Sequence, residues 1–180
     1  DSYRIAQHLN SPALIRCFDT LDSTNLYAKQ WARDGAPFGA AVLADEQTAG
    51  RGRLGRSFFS PEGGLYLTVI LPPQQSPGRL TTLAAVAVRR AVLELGGPGL
   101  QIKWVNDLFL KNRKICGILT EAVTDLESGQ TLSLVIGVGI NLSPPAGGFP
   151  DEISEIAGAV TDGSAHVNRN VLIAEISNEI

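Results

Sequence analysis

In the run Gly50-Arg51-Gly52-Arg53-Leu54-Gly55-Arg56, three arginines are interleaved with three glycines. Arginine keeps its charge at any working pH and offers a planar fork of donors. Glycine lets backbone N–H groups come close to a ligand, so the run builds a cradle for phosphate or carboxylate. A second cluster, Lys103-Trp104-Val105-Asn106-Asp107, joins a lysine suited to phosphate, an amide with paired donor and acceptor, and a carboxylate able to orient an amine or hold magnesium. In a third, Arg113 and Lys114 open the apolar run Ile115-Cys116-Gly117-Ile118-Leu119. A fourth, Val138-Gly139-Ile140-Asn141-Leu142, sets small residues that permit close approach beside an amide that can bond backbone or a base. The chemistry these residue types share is the handling of anions.

Each cluster alone also has a structural use. The Arg-Gly run reads as a solvated turn or a nucleic-acid contact, Asn106-Asp107 as a turn between strands, and Lys114 as an edge charge that discourages aggregation. Gly137 and Gly139 are as well explained by packing as by a ligand. Glycines raise the entropy cost of ordering a loop, so the Arg-Gly run is expected to close when a ligand supplies charge-assisted hydrogen bonds. The ordered succession of clusters in one acidic chain is what points to a single site.

The elements that must position these residues are legible from periodicity. Asp22-Ser23-Thr24-Asn25 supplies N-caps for a helix running to Asp34, with Gly35 as its stop. Residues 39–46 read as a buried strand feeding the Arg-Gly loop, and residues 64–71 as a second strand ended by Pro72-Pro73. Residues 80–95 carry apolar side chains at helical intervals before Gly96-Gly97-Pro98, giving a central helix. Residues 101–104, 107–110, 114–121 and 131–142 read as successive strands, the middle two joined by a turn at Lys111-Asn112. The order predicts an α+β domain with a mixed β-sheet and packed helices, without internal repeat or linker.

Composition bounds the rest. The 180 residues make one domain, and 44% hydrophobic with 18% charged residues is a globular composition. A net charge of −3 argues against general nucleic-acid binding, so any basic function is local. Cys17 and Cys116 have no CxxC spacing and His8 and His166 stand alone, so neither a disulfide framework nor a structural metal site is indicated. No apolar run approaches the roughly 20 residues that span a bilayer and no signal peptide opens the chain, giving a cytoplasmic expectation. The chain has no methionine, even at position 1, and its last helical pattern lacks a Gly cap, so the native polypeptide is expected to extend past both ends. An exposed sheet edge could mediate a homodimer, which no residue pattern decides.

Five ordered segments resemble the catalytic domain of biotin protein ligases: Ser23-Thr24-Asn25, residues 46–56, Lys103-Trp104 with Asn106-Asp107, Lys114 with Gly117-Ile118-Leu119, and Gly137-Val138-Gly139-Ile140-Asn141. The resemblance implies a catalytic domain over residues 1–180 with a fold like class II aminoacyl-tRNA synthetases. It implies activation of biotin by ATP and magnesium to biotinyl-5'-AMP, then transfer to a lysine of a biotin carboxyl carrier protein domain. By the same likeness Ser23, Thr24, Asn25, Gln47, Gly50, Arg51, Lys114, Gly117 and Leu119 form the biotin site, with the ureido group held by the hydroxyls. Arg53, Arg56, Phe58, Lys103, Asn106 and Asn141 form the nucleotide site. Arg53, Lys114 and Asp107 are the catalytic residues, Arg53 and Lys114 facing carboxylate and α-phosphate, Asp107 orienting the acceptor amine.

The chain departs from the family pattern at Val105, commonly Pro, and at Phe58, commonly Trp. Neither the small C-terminal β-barrel of many members nor the DNA-binding helix-turn-helix of some is matched within residues 1–180, so no DNA partner is expected. The competing readings are a lipoate ligase or octanoyl transferase of the same superfamily, an RNA-binding module, and a silent biotin binder. The run from Gln47 to Arg56 and the Lys-Trp-x-Asn-Asp segment favour biotin over lipoate. Acidic charge disfavours RNA, and Lys114 with Asn106 disfavours silence.

Overall fold

A computed structural model of the chain describes residues 2–74, 76–125, 127–162 and 167–180. His166 lies outside the described residues. In chain order the elements are α1 (Ser2–Ala6), β1 (Ile15–Leu21), α2 (Thr24–Arg33), β2 (Ala41–Gln47), β3 (Gly64–Leu71), α3 (Pro77–Glu94), β4 (Gln101–Lys103), β5 (Asp107–Leu110), β6 (Arg113–Thr124), β7 (Thr131–Asn141) and α4 (Arg169–Glu179). A single 3-10 turn, Arg53–Gly55, interrupts the link between β2 and β3.

The strands form one seven-stranded sheet in the order β1-β2-β3-β7-β6-β5-β4, in which β1 and β2 are parallel and the remaining neighbours antiparallel. This is the mixed sheet with packed helices that the sequence predicts. Strand β1 was not among the sequence expectations. As an edge strand its side chains are intermediate or exposed throughout, so it carries no apolar run and no strict alternation. Helix α3 begins at Pro77, three residues before the first apolar residue of the expected helix, because proline presets the first helical φ.

Both faces of the sheet are covered, which is why β3 is buried along nearly its whole length. One face, carrying Leu43, Leu67, Val69, Ile136, Val138 and Ile140, packs with the alanine and valine stripe of α3 and with Leu172, Ile173 and Ile176 of α4. The other carries Val42, Ile70, Val123 and Val135 against Ala28 and Trp31 of α2. The α2 face changes character along its length. In register, Ile70 opposes Val135, but Thr68 then opposes Gly137 and Tyr66 opposes Gly139. The next strand continues the change, Leu119 opposing Gly137 and Gly117 opposing Gly139. Toward the N-terminus of α2 this face therefore exchanges large apolar side chains for small and polar ones, which leaves room for a ligand against the sheet.

Candidate active site

Two cavities adjoin over this patch, and Arg51, Phe58, Gly117 and Leu119 line both. The first, a slot of about 30 Å³, is also lined by Ser23, Thr24, Asn25, Gln47 and Tyr66. Ser23 caps α2 in extended conformation, its Oγ accepting from the Leu26 N–H at 3.5 Å. Thr24 donates to Gln47 Oε1 through its backbone N–H at 2.9 Å and its hydroxyl at 3.0 Å. Gln47 Nε2 donates to Ser60 Oγ at 2.9 Å, and Ser60 donates onward to Phe58 O. Thr68 Oγ1 lies 2.7 Å from Asn25 Oδ1 and 2.9 Å from Thr24 Oγ1, its one hydrogen serving this pair.

The second cavity, about 220 Å³, is ringed by Arg51, Arg53, Arg56 and Lys114, with Asp107 as the carboxylate among them. Such an excess of fixed cations in one concavity attracts polyanions. Arg53 Nη1 donates to Asn106 Oδ1 at 3.2 Å, linking the Arg-Gly loop to the turn before β5. Asn106 is itself clamped to β6: its Nδ2 donates to Ile118 O at 3.2 Å, and Ile118 N donates to its carbonyl at 2.8 Å. The neighbouring Trp104–Val105 peptide is cis. Lys114 Nζ sits 2.8 Å from Asp107 Oδ1 and 5.7 Å from the Phe58 ring centre.

A bulge puts Lys114 there. Between β5 and β6 the register shifts, so that Leu108 opposes Cys116 but Phe109 opposes Lys114, leaving Ile115 without a partner. Ile115 and Cys116 are both in the core on the α3 side, and Lys114 is turned to the cavity face. Without the extra residue strict alternation would send Lys114 into the core. Burial pushes the Cys116 thiol far above its ordinary range, which keeps it inert behind the site.

Phe58 forms the partition between the cavities. Its ring lies over Gly117 and Gly139, so close that a side chain at either would press on it.

Three expected site residues line neither cavity. Gly50 is a turn residue whose carbonyl accepts from Phe58 N at 2.9 Å, where a Cβ would strike Phe58 O and Ser60 Oγ. Lys103 lies on the edge strand β4 with its ammonium 5.0 Å from the Phe109 ring centre. Asn141 is buried and donates to Gly158 O at 2.9 Å, so of its two uses, backbone or base, the structure displays the backbone one.

Conversely, Thr68, Tyr66, Ser60 and Glu121 stand in or directly behind the site and were not singled out. Strand alternation from Gly117 and Leu119 would have placed Glu121 on the same face. Its carboxylate accepts from Asn25 Nδ2 at 2.9 Å and pairs with Lys29 at 3.2 Å and Arg51 at 3.6 Å. Burial pushes this carboxyl up, but the Asn25 hydrogen bond and the Lys29 and Arg51 charges outweigh it and hold the group below its usual range. Among the described residues no group of three or more His, Cys, Asp or Glu could cage a metal, and no helix is long and apolar enough to cross a membrane.

The arrangement can hold a neutral polar head in the first cavity and place an attached acid beside a polyphosphate in the second. Comparison with known proteins follows the same line. The model of the biotin/lipoate A/B protein ligase family matches residues 17–141. The bifunctional ligase/repressor BirA of Bacillus subtilis (strain 168) is 41% identical over 150 residues, covering 81% of this chain and 46% of the relative. The chain thus spans about half the length of such curated relatives. The structure of biotin protein ligase from Aquifex aeolicus in complex with biotin and ATP superposes with a TM-score of 0.77 at 28% identity, covering 92% of this chain and 68% of that one. That from Leishmania major in complex with biotinyl-5-AMP gives 0.74 at 29%, covering 94% and 74%.

Proposed function

The chain belongs to the biotin/lipoate A/B protein ligase family, and on that premise we propose that it activates biotin with ATP and transfers it to a lysine of a carrier-protein domain. The observation that carries the proposal is the sharing of Arg51, Gly117 and Leu119 by a hydrogen-bonding slot and a cationic cavity. Biotin has a ureido ring with one carbonyl and two N–H groups, and an acid on a flexible stem. The ring suits the hydroxyls and amides of Ser23, Thr24, Asn25 and Gln47; the acid would emerge beneath Arg53 and Lys114. Lipoate carries a dithiolane with no hydrogen-bonding group, and would leave those polar side chains unpaired, the situation that selects most strongly between ligands.

In the first half-reaction the biotin carboxylate oxygen attacks the α-phosphorus, a mixed anhydride bond forms, and pyrophosphate leaves. Two anions must meet, so the contribution of the protein is fixed positive charge: Arg53 and Lys114 at the reacting carboxylate and α-phosphate, Arg56 toward the departing phosphates. Asn106, immobilised by Ile118, faces the nucleotide. The second cavity offers one carboxylate, already paired with Lys114. Magnesium enters this reading as the companion of the triphosphate, which usually needs few protein ligands.

In the second half-reaction a neutral acceptor amine attacks the anhydride carbonyl, forming the amide and releasing AMP. In this reading Asp107 orients that amine by accepting its hydrogen bond. Closure of the Arg-Gly loop would keep water from the anhydride. We place this activity in the cytoplasm, where ATP and carrier domains of biotin-dependent carboxylases meet.

Calorimetric titration with biotin and, separately, lipoate, followed by pyrophosphate release with ATP and magnesium, tests the reading. Biotin-selective binding coupled to pyrophosphate is expected. Lipoate-selective binding, or biotin binding without ATP cleavage, would reject it.

A further inference from the structure

We propose that Glu121 fixes the donor–acceptor polarity of the biotin slot, acting as a positioning residue through Asn25 and Arg51 without touching the substrate. The inference rests on the biotin reading above and asks more of it: why these particular hydroxyls and amides present one pattern of donors and acceptors.

Glu121 lies on the α2 face of β6 beside Val135 and borders neither cavity. Its carboxylate and the Leu119 carbonyl both approach Asn25 Nδ2, at 2.9 and 3.3 Å. Neither oxygen can donate, so the amide nitrogen must turn to them and Oδ1 must turn the other way, toward Thr68. Thr68 is thereby a donor, and the Thr24 hydroxyl beside it spends its own hydrogen on Gln47 Oε1. Gln47 in turn donates to Ser60, and Ser60 to Phe58 O. Glu121 and the Leu119 carbonyl thus orient Asn25, Thr68 and the Thr24 hydroxyl, while the Thr24 backbone N–H, which can only donate, fixes Gln47 Oε1 as an acceptor independently. Ser23 Oγ accepts from Leu26 N, leaving its hydrogen available at the slot.

The same carboxylate tethers Arg51, the cation that lines both cavities. Lys29, from α2, is the other charged group facing it among the described residues. A glutamine of identical shape could also donate to Asn25, leaving only the longer contact with the Leu119 carbonyl to hold that amide in its orientation, and would hold Arg51 without charge.

Pyrophosphate release against biotin concentration, with a thermal unfolding curve for each protein, tests this on wild type, Glu121→Gln, Thr68→Val and Lys29→Met. Wild type is read first; if it shows no biotin-dependent release, the biotin reading fails and this inference falls with it. With wild type active, Glu121→Gln is expected to raise KM for biotin about tenfold while kcat and KM for ATP stay within about twofold. Thr68→Val, which keeps every ion pair but cuts the series, should raise KM for biotin in the same direction and decides the matter if Glu121→Gln does not fold. Lys29→Met, which removes charge from Glu121 but not the series, should leave KM for biotin within about twofold. An unchanged KM for biotin in Thr68→Val, equal falls of kcat and kcat/KM in Glu121→Gln, or a Lys29→Met defect as large as that of Glu121→Gln would each overturn the proposal.

Discussion

Lys114 Nζ and Asp107 Oδ1 stand 2.8 Å apart across β5 and β6, a contact that exists because a bulge at Ile115 turns the lysine out of the core. Asp107 offsets the lysine charge. The two proposed half-reactions ask different things of this pair, so substitutions on either side should separate them.

Lys114→Ala is predicted to cripple adenylate formation, because the charge facing carboxylate and α-phosphate is gone. Asp107→Ala should spare adenylate formation and slow transfer to the acceptor lysine more severely. Single-turnover measurement of each half-reaction checks both, and equal losses for Asp107→Ala would move that residue to a nucleotide or metal role.

Arg53→Ala should reduce pyrophosphate release about 10²–10³-fold, the order found when one charge-stabilising donor is removed. Its hydrogen bond to Asn106 is exposed and should matter little to folding. Near-wild-type release, or a large drop in unfolding midpoint, would contradict the assignment.

Gly137→Ala places a Cβ against Asn25 Oδ1, where nothing can retreat without breaking the contact with Thr68 or Glu121. Overpacking of this kind costs about 1–3 kcal/mol, readable as a lower urea midpoint. Biotin affinity should fall with it, and calorimetry showing full affinity would mean that the Asn25 position is not important to the slot.

Stability should decline on the acid side through Glu121. Its folded pKa is depressed below the ordinary 4.5, so its contribution is complete above that value and is lost as pH falls through the folded pKa. Unfolding temperatures taken from about pH 7 downward should therefore drop less steeply in Glu121→Gln than in wild type. Parallel curves would show that the carboxylate is not linked to folding.

Much of the architecture is legible in the order of residues alone. β3 and β5 occupy the expected residues, Ser23 caps α2 as its type suggests, and Lys111 and Asn112 form the β5–β6 turn with positive φ. Periodicity and capping are local properties, and local properties survive into the fold. The site was legible as a set of motifs for a similar reason, since arginine, glycine and lysine at fixed spacings carry their chemistry with them.

What the sequence by itself determined, then, is the type of each element and the chemical inventory of the site. Only the tertiary structure decided which members of that inventory meet. Lys103 and Asn141 belong to matching motifs yet line neither cavity, one on an edge strand and one bonded to Gly158. Glu121 belongs to no motif that was singled out, yet it binds Asn25 across 96 residues of chain. Lys114 reaches the cavity through a one-residue slip in pairing that no periodic pattern announces. The physical reason is common to all three: strand order and register are set by how the whole sheet buries its two faces, and a side chain learns its neighbours only when that burial is complete.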